Sequence, residues 1–70
     1  MKYESLHKLS PRETEALILY ARGRSLEEIG EAMVVTARTA ESHLKHARSK
    51  LGITKRSELF DYAVKAGVLA

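Results

Sequence analysis

The sequence predicts an all-α fold of four short helices, and three observations carry that prediction. Apolar residues recur at three- and four-residue spacing in successive segments. Two Ser-x-x-Glu capping boxes, at Ser10 and Ser25, and a further cap candidate at Thr36 open those segments, while Gly23 and Gly52 close two of them. No segment alternates with the strand period, and no internal repeat is present.

The first eight residues carry no clear period and read as a linker or disordered N-terminus, leaving 9–70 as the domain; Tyr3 and Leu6 are the side chains there with packing capacity. The first helix starts at Ser10-Pro11-Arg12-Glu13, with proline at the first helical position, and presents Thr14, Leu17, Tyr20 and Ala21 inward. The second starts at Ser25-Leu26-Glu27-Glu28, has about two turns with Ile29, Ala32 and Met33 as its apolar face, and passes through Val34-Val35 to Thr36. The third runs from Ala37 to Leu51. Its residues Ala40, Leu44, Ala47 and Leu51 fall in one narrow arc, with Arg38, Ser42, Lys45, His46 and Ser49 opposite, Thr39 and Lys50 at the border, and Glu41 and Arg48 on the flank. The fourth begins near 54–57 and ends before Gly67, with Leu59, Phe60, Ala63, Val64 and Ala66 as a broad apolar surface.

A chain of 70 residues buries only roughly 60% of its unfolded surface, and this one has no cysteine to staple it. Disulfides and thiolate metal sites are excluded. No apolar run approaches the ~20 residues of a membrane span, so a soluble, cytoplasmic domain with no membrane partner is expected. The net charge of +3 is unevenly placed. Between Thr36 and Arg56 stand Arg38, Lys45, Arg48, Lys50, Lys55 and Arg56 against Glu41, so that segment carries +5 and the remainder −2. A localised basic patch is the footprint of a nucleic-acid partner.

A short capped helix, a tight turn and a longer helix with a basic outer face make a helix-turn-helix. A helix ~10–12 Å across fits a major groove about 12 Å wide. The hydroxyls and amides at Ser25, Thr36 and Thr39 suit phosphate contact, as do His46, Ser49 and Lys50 on the polar side. Lys45, central on the outer face, is the leading candidate for direct readout through guanine O6 or N7, against a phosphate contact. Glu41 has two readings, acceptance from cytosine N4 or an i, i+4 pair with Lys45. His43 reads as a packed flank residue, and His43 with His46 lacks a carboxylate or thiolate partner for metal. No nucleophile–base set and no glycine-rich phosphate loop is present, so no enzyme and no cofactor is expected.

These segments together resemble the LuxR-type (GerE-like) domain of bacterial transcription regulators. The resemblance rests on Leu9-Ser10-Pro11-Arg12-Glu13 with Glu15 and Leu17, then Gly23-x-Ser25-x-x-Glu28-Ile29, then Arg38-Thr39-Ala40-Glu41-Ser42-His43-Leu44, then Lys50-Leu51-Gly52-Ile53 with Arg56. It implies sequence-specific binding of double-stranded DNA in transcription regulation, with Glu41, Ser42 and Lys45 at the bases and Arg38 at the groove edge. It implies a homodimer through the last helix, for which Tyr62, Val64 and Leu69 are the contact candidates, with RNA polymerase as a further candidate partner. It also implies a structural ion pair between Glu13 and Arg56. The Arg-Thr-x-Glu-x-His form is similar to the quorum-sensing branch, in which such a domain is the C-terminal part of a longer regulator.

Three positions depart from the family pattern. Val34 stands in the turn where glycine or a polar residue is common; positive φ there would strain a β-branched residue, so either the turn is different here or its backbone stays right-handed. Ala40 replaces a larger aliphatic residue, which implies closer packing under the third helix. Gly30 replaces the usual alanine at a helix-propensity cost of roughly 0.5–1 kcal/mol. Two rivals remain at this point: a sigma-factor promoter-recognition region, which lacks the Lys-Leu-Gly-Ile-x-x-Arg junction, and a helical protein-interaction module that binds no nucleic acid.

Overall fold

The computed structural model describes residues 9–65. Helices α1 (Pro11–Ala21), α2 (Leu26–Met33), α3 (Ala37–Leu51) and α4 (Arg56–Lys65) follow in order, with no strand among the described residues. The expected linker, together with Ala66 and Leu69, lies outside them.

The caps form as the sequence implies. Ser10 Oγ accepts from the Glu13 amide at 3.2 Å, and Glu13 Oε1 accepts from the Ser10 amide at 2.9 Å. The same reciprocal pair joins Ser25 and Glu28, at 3.2 and 2.9 Å. Acceptance from the Ser25 amide holds the Glu28 carboxyl below its ordinary range. Thr36 Oγ1 accepts from the Thr39 amide at 3.1 Å and so starts α3.

Helix ends α1 and α2 share one hydrogen-bond pattern but not one residue type. After α1, Gly23 adopts φ +90°, its amide donates to Tyr20 O at 2.9 Å, and the Arg24 amide donates to Leu19 O at 3.1 Å. After α2, the Val35 amide donates to Gly30 O at 2.8 Å and the Val34 amide to Glu31 O at 3.3 Å. Here the left-handed residue is Val34, at φ 60° and ψ 45°. The turn therefore does need positive φ, and a β-branched side chain occupies it at a cost of about 1–2 kcal/mol.

Helix α1 lies at the centre. Ala16 joins Ile29, Met33, Ala40 and Leu44, so α1, α2 and α3 meet in one apolar cluster. Leu17 joins Leu9, Ala47 and Leu59, which ties α1 to α3 and α4. Ala21 packs on Ala63, and Tyr20 borders the first two clusters. Alanines at 16, 40 and 47, all fully buried, allow the close approach of α1 and α3.

Four details of the expected packing are corrected. Ala32 is exposed, and α2 instead buries Ile29, Gly30 and Met33. Thr14 is only half-buried, whereas Ala16 and Glu13 on the same helix are buried. Tyr62, a candidate contact for a second copy, is buried, because α4 meets α1 along the Leu59–Tyr62–Ala63 stripe, and it is Phe60 and Val64 of the broad apolar surface that face outward. Gly30 is also more than a helix-weakening residue. A Cβ on it would stand 2.7 Å from Val35 O and 3.2 Å from Ala37 N, so its absence lets the turn fold back onto α2.

Candidate nucleic-acid interface

The exposed row of α3 is built by helix period. Ala40, Leu44 and Ala47 are buried, which turns Arg38, Ser42, Lys45 and Ser49 to the outside, spaced by four, three and four residues. Thr39, Glu41 and His46 are exposed beside this row, and His43 is half-buried on the flank, as its position implied. Thr36 Oγ1, besides capping α3, lies 3.0 Å from Thr39 Oγ1, so both hydroxyls cluster at the helix N-terminus, where the backbone dipole is positive. Ser25 is exposed at the start of α2.

Glu41 and Lys45 form no ion pair with each other, so the i, i+4 reading of Glu41 is not the arrangement adopted among the described residues. Both side chains stay available at the surface for an outside partner.

Half of the basic segment is engaged within the domain. Lys50 Nζ donates to Glu13 Oε1 at 2.8 Å, across from the end of α3 to the start of α1. That hydrogen bond, with the Ser10 amide second, holds the Glu13 carboxyl below the usual carboxylate range against the opposing effect of burial. The expected Glu13–Arg56 pair is thereby corrected: Lys50 is the partner. Arg56 stands at the other end of α1, where its guanidinium lies 3.9 Å from the Tyr20 ring centroid and Nη2 donates to Arg24 O at 3.0 Å. Arg48 approaches the same ring at 5.6 Å. Arg38, Lys45 and Lys55 are the segment's exposed cations outside these contacts. A phosphate contact by Lys50, expected from its sign and place, has to share the lysine with Glu13.

The sequence that builds this arrangement, a two-turn helix locked by a tight turn to a longer helix with an exposed basic row, has relatives among known proteins. Residues 7–63 match the family described as bacterial regulatory proteins, luxR family. The chain belongs to that family. This LuxR-family domain is 42% identical over 67 residues to the transcriptional regulatory protein MctR of Rhizobium johnstonii, covering 96% of the chain and 31% of MctR. It is 43% identical over 61 residues to the oxygen regulatory protein NreC of Staphylococcus aureus, covering 87% of the chain and 28% of NreC. The chain thus spans about a third of the length of these relatives. The family and these relatives are bacterial regulatory proteins.

Several structural side chains escape a reading of the LuxR-family domain by sequence alone. Arg12, whose Nη2 donates to Met33 O at 2.6 Å, looks like one more exposed cation in the first turn of α1. Tyr20 as the meeting point of Arg48 and Arg56 and Phe60 as an outward apolar residue are equally silent. Each depends on which helix lies opposite, and no local spacing encodes that.

Proposed function

We propose that this domain binds duplex DNA sequence-specifically, with α3 in the major groove. The exposed row of α3 carries the reading: Arg38, Ser42 and Lys45, with Glu41 unpaired beside them, present donors and acceptors of the kinds that base edges distinguish. Lys45 donates to guanine O6 or N7, Glu41 accepts from cytosine N4, and Ser42 and Arg38 flank them. Thr36 and Thr39 at the helix start, Ser25 on α2, and His46 and Ser49 on the groove side meet phosphates, with Lys50 joining only as far as Glu13 releases it.

The proposed unit is a dimer on a two-fold-related site. Tyr62 is 5% exposed and therefore serves the interior, while Phe60 and Val64, 45% and 47% exposed, lie one turn apart on the outer side of α4. They supply the apolar patch for a second copy. Val64 keeps its expected role, Phe60 replaces Tyr62, and Leu69 lies outside the described residues.

Because the relatives are about three times longer, the signal that controls binding belongs to the rest of such a chain. The Arg38-Thr39-x-Glu41-x-His43 pattern supports a quorum-sensing parent, and RNA polymerase is the partner that regulation at a promoter brings to the same site. A cytoplasmic location accords with this reading; among the described residues no helix is long and apolar enough to cross a membrane.

The test is a titration of fluorescent duplex DNA at two salt concentrations. Binding that is tight at low salt and falls linearly in log–log form is expected. Absence of binding at low salt overturns the proposal in favour of a protein-interaction module.

A further inference from the structure

Arg12 links α1 to the turn between α2 and α3. Of the carbonyls at the end of α2, those of Gly30 and Glu31 accept from the amides of Val35 and Val34. The Met33 carbonyl accepts instead from Arg12 Nη2, at 2.6 Å, reaching over from α1. The other arm of the guanidinium is held by Glu15, with Nη1 3.3 Å from Oε1. The cation stands at the negative end of the α2 dipole, where it is favoured.

We propose that Arg12 is a positioning residue for base readout: by holding Met33 it fixes the α2–α3 turn and so the direction in which α3 leaves. Three observations meet at that turn. Val34, the next residue, occupies a left-handed conformation that a β-branched residue resists, and such a conformation persists only where neighbours over-determine it. Gly30 lets Val35 O approach so closely that a Cβ would clash, so the turn has no slack toward α2. Only Val34, Val35 and Thr36 separate α2 from α3, so any change in φ or ψ at Val34 swings α3 as a body. The row from Arg38 to Lys45 would move with it, and contacts to base edges tolerate displacements of only about 0.5 Å. The Arg12 side chain is itself 44% exposed, so it is not a buried structural cation, and its loss need not unfold the domain.

This inference rests on α3 being the reading helix, and the experiment separates the two. The probes are a duplex selected by the wild-type domain from a randomised library and a scrambled duplex of the same length and composition. Arg12→Met is expected to keep its helical circular dichroism and to lose about tenfold or more in affinity for the selected duplex. Affinity for the scrambled duplex and the salt slope are expected to stay as in the wild type, and Arg12→Lys to recover part of the loss. An equal loss on both duplexes, with a salt slope shallower by about one, makes Arg12 a phosphate contact and overturns the proposal. Unchanged affinity for both duplexes overturns it as well. If Arg12→Met does not fold, Arg12→Lys decides: it keeps the charge but not the two-armed grip, so a smaller loss confined to the selected duplex is expected, and wild-type binding overturns the proposal. A wild-type domain that binds without discriminating the two duplexes removes the base-readout reading itself, whatever Arg12 does.

Discussion

Lys50 Nζ lies 2.8 Å from Glu13 Oε1, so a cation at the end of α3 neutralises a carboxylate that α1 keeps buried. The pair ties α3 to the central helix and makes stability depend on acid. Glu13 titrates below its ordinary value of 4.5 in the folded domain, with Lys50 as the largest cause. A depressed folded pKa contributes stability that is fully present above the unfolded pKa and is lost as pH falls through the folded one. Urea midpoints measured from pH 7 down to pH 3 are expected to fall below about 4.5 in the wild type. Lys50→Met is expected to lower stability at pH 7 by about 1–2 kcal/mol and to flatten that decline. An unchanged acid limb in the variant removes the pair from the account.

Val34→Gly is expected to stabilise the domain. The side chain is 89% exposed and buries nothing, while its left-handed backbone costs about 1–2 kcal/mol. Glycine relieves that cost but adds roughly 0.5–1 kcal/mol of unfolded-state freedom, which leaves a net gain of about 0.5–1 kcal/mol. Denaturant unfolding checks it, and a loss of stability would mean that the exposed isopropyl group makes a contact.

Gly30→Ala separates helix propensity from tertiary packing. Propensity alone expects a gain of roughly 0.5–1 kcal/mol. The new methyl carbon would instead stand 2.7 Å from Val35 O, a backbone atom that cannot rotate aside. A loss of about 1–3 kcal/mol is expected. A stabilised variant would show that the turn can open without cost.

The helices were legible because their signals are local: capping boxes at Ser10 and Ser25, and the stripe of Ala40, Leu44 and Ala47 under a basic face. The outer row of α3 followed from the same stripe. The partners of charged side chains did not, since only the packing of α3 and α4 on α1 puts Lys50 beside Glu13 at its start and Arg56 beside Tyr20 near its end. Gly30 was misread for the same reason. Its neighbour across the turn is absent from any helical wheel. At Val34 the strain of positive φ is legible but its presence is not: a different turn or a right-handed backbone is expected there, and the structure has a left-handed valine.

Arg56→Met is expected to destabilise the domain by about 1 kcal/mol, through loss of the hydrogen bond to Arg24 O and the stacking on Tyr20. DNA affinity under folded conditions is expected to be unchanged, because this cation belongs to the scaffold despite its place in the basic segment. A salt slope reduced by about one in the variant would assign it to a phosphate instead.

The central claim is that the exposed row of α3 reads bases, and Lys45→Ala tests it most directly. Equilibrium affinities for a selected and a scrambled duplex, measured at one salt concentration, give the answer. The expected result is a loss of about 1–3 kcal/mol on the selected duplex, relaxed preference at one base pair, and a much smaller loss on the scrambled one. Equal losses on both would contradict it and reduce Lys45 to a phosphate contact.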